Sequence, residues 1–353
     1  MDIPKLLAEK KPLIEREIEK VLPRKANAEW LERAIGKADY SYDLETISKE
    51  FNAPAWEFLD RGGKRWRPAL MLSACKAAGG KEQDALPFTP IAELIHEGTI
   101  IVDDIEDGAE VRRGKKALHL LFGIDTAIND GNALYFLPLM LVYRNIGNLP
   151  EAKRLKILEI YGEEMLRLSF GQAMDIHWHK GKKCSVKEND YLQMCAYKTG
   201  VLARLSAKLG GILGGGSEAQ VEALGKFGEA IGVGFQIQDD ILNIAPASGK
   251  WGKEIGEDIS EGKRTLLVLH ALGSLGKKEA MELEKILNRH TKNKNAIMKA
   301  IALIKKAGSI EYAGDKAKKI VKESWQKLEG MLPESEGKQE LEAFAKFMVD
   351  RKI

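Results

Sequence analysis

The sequence predicts an all-α fold in a single domain. Apolar residues recur at helical spacing along most of the chain, as in Leu6, Leu7, Leu13, Ile14, Ile18 and Val21 with charged residues between them. Clean period-two stretches are few, aromatic residues make up only 7% of the chain, and Ala, Leu, Lys and Glu are abundant, a balance that favours helices over sheets. No linker divides the 353 residues, no repeat appears beyond one short acidic motif, and 44% hydrophobic content is ample for a core.

The elements follow in order. Residues 4–22 read as an amphipathic packing helix that Pro23 stops. Residues 28–60 hold one or two helices interrupted near Tyr40 to Tyr42, and Gly62 and Gly63 then break the chain before Lys64 and Arg67. Two adjacent glycines permit close backbone approach to a ligand, or simply a helix-helix turn. A helix over about 67–79 ends at Gly79-Gly80, and one beginning near 89 carries Ile91, Leu94, Ile95, Ile100 and Ile101 into an acidic cluster. Helices over 124–145 and 151–178 are separated by the turn at Gly147 to Pro150. Residues 188–210 form a further helix that Gly200 loosens beside Lys198 and Thr199, and GGILGGG at 210–216 reads as a flexible joint. A helix over 218–243 ends in a second acidic cluster, and the glycine-rich, charged stretch 244–262 suits a mobile cover. Beyond 263 come amphipathic helices such as 296–306 and 310–328, with no residue that suggests chemistry.

Composition bounds the partners. The net charge of +3 comes from 55 basic residues interspersed with 52 acids, which gives no reason to expect nucleic-acid or strong membrane-surface binding. Cys75, Cys184 and Cys195 lack metal-ligand spacing and fit reduced thiols in a cytoplasmic protein. The start MDIPKLLAEKK lacks the apolar block of a signal peptide, and no apolar run of about 18 residues, the length a spanning helix needs, is present.

The chemistry concentrates in Ile101 to His119. Asp103, Asp104 and Asp107 fall at i, i+1 and i+4, so on a helix they are expected on one face. Acids at a helix C-terminus oppose the macrodipole and need cations. Mg²⁺ suits such a cluster, because it takes a few carboxylates completed by water and substrate phosphates. Arg112, Arg113, Lys115 and Lys116 follow as anchors for a phosphate. An EF-hand fits poorly, since its third and twelfth positions would be Ile105 and Gly114. Taken alone, the cluster reads as a solvated helix end followed by a solvated loop, because charge runs usually face water. The second cluster tips the balance: Asp239 and Asp240 repeat the pair, with Asn243 where Asp107 stood. Two helices with acidic ends pointing at each other are expected to hold several Mg²⁺ ions around a diphosphate.

The pair DDIED with RRG, and DDILN later, resembles the two aspartate-rich motifs of the trans-isoprenyl diphosphate synthases. Supporting matches are GGKRWRP at 62–68, His96, Gly171-Gln172 with Asp175, Lys198-Thr199-Gly200, and Gly252-Lys253 through Asp258. They run in family order from about residue 60 to 265, and INDGN at Ile128 with the YFL at Tyr135 and DDILN as second motif looks most like the geranylgeranyl diphosphate synthases of the eukaryotic type.

The resemblance implies a helical bundle with a central active-site cavity, head-to-tail condensation of isopentenyl diphosphate with allylic diphosphates, and a homodimer. It implies that Asp103, Asp104, Asp107, Asp239 and Asp240 bind Mg²⁺, three ions per site. Arg112, Lys198 and Lys253 complete the allylic diphosphate cradle. Lys64, Arg67, His96 and Arg113 receive isopentenyl diphosphate, and Thr199, Gln236 and Lys263 join the substrate contacts. Phe235 and Gln236 are expected near the allylic cation, where an aromatic face stabilises positive charge. Asn243, neutral where many relatives have Asp, is left out of the metal set. The departing pyrophosphate serves as base, so no Ser-His or Cys-His set is needed.

Product length should follow pocket depth behind the first motif. Gly98 and Thr99, its next layer, are small, so a C20 product is expected, with either Ile95 or, on the following helix, Tyr135 and Phe136 as floor. Products of C15, or of C25 and longer, are the alternatives, as is a non-catalytic partner subunit of a heteromeric prenyltransferase. A class I terpene cyclase has no need of Lys64, Arg67 and Arg113.

Overall fold

A computed structural model describes residues 1–180, 186–246 and 255–349. Lys253 therefore lies outside the described residues, as do residues 247–254 of the expected cover. Helices dominate; among the described residues the strands are the two-residue pair β1 (Val111–Arg112) and β2 (Lys115–Lys116), antiparallel in the register Val111 to Lys116. The chain falls into two compact units.

The first unit comprises Met1–Gly162, Leu205–Glu222 and Leu332–Leu341. Helix α1 (Ile3–Val21) starts where the Asp2 side chain accepts from the Lys5 N–H, and it buries Leu6, Leu7, Ile14, Ile18 and Val21. Helix α2 (Ala28–Ile35) is capped by Asn27, and α3 (Ala53–Leu59) continues a π-helical turn over Ser48–Asn52. After the Gly62-Gly63 break comes α4 (Trp66–Ala77), buried along nearly its whole length. Helix α5 (Pro90–Glu106) opens on a proline, whose missing N–H costs nothing in the first turn.

Helices α6 (Leu118–Phe122) and α7 (Ile124–Phe136) follow the hairpin. The predicted run to 145 is broken because Pro138 cannot donate, which leaves a 3₁₀ turn over Leu137–Leu139 and a short helix over Met140–Tyr143. Helices α5 and α7 cross closely through two glycines. A Cβ on Gly98 would sit 2.8 Å from the Gly131 carbonyl, and one on Gly131 would sit 2.6 Å from Val102.

Helix α8 spans Glu151–His179, α9 Glu188–Cys195, and α10 Val201–Leu213. The GGILGGG segment corrects the joint expected from sequence. Gly210 and Gly211 lie inside α10, and a Cβ on Gly210 would meet the Met71 carbonyl at 2.3 Å. One on Gly214 would meet the Cys75 carbonyl at the same distance. These glycines are absent side chains that let α10 lie against α4.

The second unit comprises Glu163–Arg204, Ala223–Met331 and Glu342–Ile353. Helix α11 (Glu218–Ile244) carries the second acidic cluster near its C-terminal end. Helices α12 (Leu266–Ser274), α13 (Lys277–Leu287), α14 (Lys294–Lys306), α15 (Ser309–Leu328) and α16 (Glu336–Val349) complete the order. The unit's core joins Tyr191, Ile237, Ile241, Leu266, Leu287 and Ala300. Among the described residues no helix is long and apolar enough to cross a membrane.

Candidate active site

In the first unit, α5 delivers its carboxylates to its C-terminal end. Asp103 and Asp107, one turn apart, share a partly exposed face. Asp104 does not join them, because successive helical residues point about 100° apart. It is 1% exposed, and Arg112 of β1 donates to its Oδ1 from Nε at 2.8 Å and from Nη2. The expected trio is thus two outward acids and one inward acid tied to an arginine.

Cations gather farther back along α5. Arg67 is 6% exposed with its guanidinium 4.6 Å over the Trp66 ring, while Lys64 is exposed. The His96 imidazole is held well below its usual range, first by burial and then by Arg67, Arg113, Arg65 and Arg112. A neutral His96 among arginines offers one ring nitrogen to donate and one to accept.

Arg113 donates to the Gly62 carbonyl at 2.5 Å, and its guanidinium lies 3.1 Å from both Glu97 oxygens. Arg65, 3% exposed, bridges Glu93 and Glu97 through Nη1 at 2.6 and 2.7 Å. Burial raises the Glu97 carboxyl, while Arg113 and Arg65 pull it back down. Sequence reading passed over Arg65 and Glu97. The signal was present: Glu93 and Glu97 are two like charges at i, i+4 on an otherwise apolar helix face, which calls for a buried arginine.

The pocket residues are only partly as expected. Ile95 is fully buried, and Thr99 is partly exposed with its hydroxyl donating to the His96 carbonyl at 2.7 Å. Gly98 opens no space, since α7 fills the place of its missing side chain. Tyr135 reaches that crossing, its Cε1 3.2 Å from a Gly98 Cβ, and burial together with Glu106 and Asp103 raises its phenol. Phe136, the next residue round α7, points elsewhere and is 65% exposed.

In the second unit Asp239 is partly exposed, whereas Asp240 is buried and held at both oxygens. The Tyr191 hydroxyl donates to Oδ2 at 2.6 Å and Gln236 Nε2 to Oδ1 at 2.9 Å. Burial raises its carboxyl, and the negative charges of Asp258 and Asp239 push the same way. Thr199 donates to Gln236 Oε1 at 2.8 Å, so a relay runs from Thr199 through Gln236 and Asp240 to Tyr191. Tyr191, missed in the sequence, lies two turns before Lys198, a spacing that hints at a shared face.

Asn243 is buried, and its side-chain oxygen accepts from the Asp258 N–H at 3.3 Å. Lys198 sits in a π-helical turn over Ala196–Gly200 and donates to Asp175 at 2.6 Å, while Gly171 lets α8 approach that turn. Such wide turns recur at functional sites. Lys263 pairs with Glu261 at 2.5 Å and lies 3.7 Å from Asp258. Phe235 is partly buried.

No three His, Cys, Asp or Glu side chains among the described residues form a ready-made ion cage. The donor set nevertheless fits Mg²⁺. In the first unit Asp103 and Asp107, and in the second Asp239, offer hard oxygen ligands at partly exposed positions, the kind of carboxylate that this ion combines with waters and substrate phosphates.

Two aspartate motifs on helices, each close to arginine or lysine, define a class of helical protein that handles diphosphates through charge rather than a nucleophile. The Polyprenyl synthetase family matches residues 48–304, and the chain belongs to that family as a trans-prenyltransferase. A short chain isoprenyl diphosphate synthase of Methanothermobacter thermautotrophicus is 35% identical over 82% of this chain and 87% of its own. A geranylfarnesyl diphosphate synthase of Natronomonas pharaonis is 32% identical over 83% and 87%. Among solved structures, geranylgeranyl pyrophosphate synthetase from Pyrococcus horikoshii superposes with a TM-score of 0.85 at 33% identity, covering 99% of this chain and 98% of that one. The chain is thus a trans-prenyl diphosphate synthase with the all-α bundle expected from its sequence.

Proposed function

We propose that the protein condenses isopentenyl diphosphate head-to-tail with allylic diphosphates in a Mg²⁺-dependent reaction whose main product is C20. The observation that carries this reading is the separation of charge along α5. Asp103 and Asp107 stand at its C-terminal end, while neutral His96 lies among arginines two turns earlier. One helix thereby serves a metal-bound diphosphate and a second diphosphate held by cations.

Asp103, Asp107 and Asp239 are assigned to Mg²⁺, with Asp104 and Asp240 holding neighbouring groups in place through Arg112 and Tyr191. When bound, Mg²⁺ neutralises charge on the departing pyrophosphate and so favours ionisation of the carbon-oxygen bond. Arg112, Lys198 and Lys253 complete that cradle. Lys64, Arg67, His96 and Arg113 orient isopentenyl diphosphate so that its double bond meets the allylic carbon. We assign both compact units to one catalytic domain, as the span of the family match, 48–304, suggests.

The C20 product is supported by Thr99, a small side chain one turn before Asp103, with Tyr135 as the floor beyond it. A homodimer is supported by exposed apolar side chains on α6 and α7, including Leu120, Ile124 and Phe136 at 51%, 56% and 65% exposure. Free, buried thiols at Cys75 and Cys195 fit a reducing cytoplasm.

The test is condensation of labelled isopentenyl diphosphate with and without Mg²⁺, for the wild type and Asp103→Asn. Chelation should abolish turnover, and the variant should lose at least about 100-fold in kcat/KM, the scale of removing one preorganised electrostatic contact. Undiminished turnover by Asp103→Asn would remove Asp103 from the metal set.

A further inference from the structure

Three segments of the chain meet at one buried carboxylate. Glu97 is fully buried on α5, and it receives Arg65 from the chain break before α4 and Arg113 from the turn between β1 and β2. Both arginines adopt left-handed backbone, with φ of 50° and 51°, a conformation that residues other than glycine rarely take. Each departs from ordinary backbone where its guanidinium reaches the same acid. Gly62 accepts from Arg113, and Gly63 lies so close to Arg65 that a Cβ there would be 3.0 Å from Nη1. Arg61 adds a bond to the Arg112 carbonyl at 3.2 Å, and Lys115 reaches Glu57 at 3.2 Å. The hairpin and the glycine break are therefore latched together, with Glu97 at the centre.

We infer that Glu97 is a positioning residue for isopentenyl diphosphate: with Arg65 behind it, it fixes the guanidinium of Arg113 against Gly62 before the substrate arrives. The inference rests on the reading above that Arg113 meets that diphosphate. An arginine carries much rotamer freedom, and holding it in place beforehand removes that ordering cost from binding. The Arg113 side chain keeps 22% of its surface exposed, which leaves it accessible to a ligand.

Two physical effects pull in opposite directions at Glu97, and that makes the idea testable. Taking away its negative charge raises the local positive potential and favours a diphosphate, whereas loss of the latch lets Arg113 wander and disfavours it. Positioning predicts that the second effect wins.

Steady-state kinetics of the full chain are measured for Glu97→Gln, Glu97→Asp and Arg113→Lys, varying each substrate separately. Glu97→Gln should raise KM for isopentenyl diphosphate about tenfold, with kcat and the allylic KM changed by less than about threefold, since the lost interaction acts on binding of one substrate. Glu97→Asp should recover part of the loss, and it is the variant read if Glu97→Gln fails to melt cooperatively. An unchanged or lowered KM in Glu97→Gln overturns the positioning role. If Arg113→Lys leaves KM unchanged, the assignment of Arg113 to this substrate falls instead, and a wild type that condenses nothing sinks both.

Discussion

Asp130 gives the sharpest quantitative test of the first unit. It lies on α7 beside Gly131, at the close crossing with α5, and is fully buried. Neither carboxyl oxygen has a hydrogen-bond partner among the described residues. Burial, assisted by the negative charge of Glu50, pushes the carboxyl up from its ordinary 3.8 to about 8. The folded chain then keeps Asp130 protonated at pH values where the unfolded chain has released the proton. A raised carboxyl costs nothing below the ordinary value, and the stability it removes grows as pH climbs from about 4 to about 8.

The slope is about 1.4 kcal/mol per pH unit, so the penalty reaches about 4 kcal/mol at pH 7 if the shift is fully realised. Asp130→Asn removes the ionisation but buries an amide with unmet hydrogen bonds, at a cost of about 1–3 kcal/mol. The variant should therefore be more stable than wild type by about 1–3 kcal/mol at pH 7, and about equal at pH 5. Urea unfolding followed from pH 5 to pH 7.5 reads this directly. The difference between the two proteins should widen with pH in the variant's favour. Parallel curves would mean that Asp130 is ionised in the folded state, and that the dry, unpartnered carboxyl described here is wrong.

Two further outcomes follow from the α5 and α7 crossing. Thr99→Phe places a ring one turn before Asp103 and should shift the product to a shorter chain in a radiolabel chromatography assay; an unchanged spectrum refutes Thr99 as a pocket wall. Gly131→Ala drives a methyl to 2.6 Å from Val102, and it should destabilise the fold by about 1–3 kcal/mol in thermal melting, the usual range for overpacking, whereas an unaltered Tm would show that the helices separate without cost.

Much of the fold was legible in the chain because punctuation and periodicity are local. Pro23 and Gly147 to Pro150 mark real helix boundaries, and the helices over 3–21, 90–106 and 218–244 lie within two residues of where the pattern puts them. What stayed hidden depends on distance through space. GGILGGG reads as a joint until Met71 and Cys75 are seen against it, and Gly98 reads as an opening until α7 fills the gap. The acids of each motif read as one metal face, although Arg112, eight residues on, holds Asp104 inward and Tyr191, 49 residues away in sequence, holds Asp240. Glu97 and Arg65 were passed over because neither belongs to a family motif as a ligand, yet together they hold the turn and hairpin that present Arg113.

The most direct measurement is product analysis after incubating the purified chain with Mg²⁺, labelled isopentenyl diphosphate and, separately, C5, C10 and C15 allylic diphosphates. Each starter should be elongated to a common C20 product, and the activity should be lost on addition of chelator. Elongation that stops at C15 or runs to C25 and beyond would contradict the pocket assigned to Thr99 and Tyr135, and absence of condensation with every starter would contradict the proposed reaction itself.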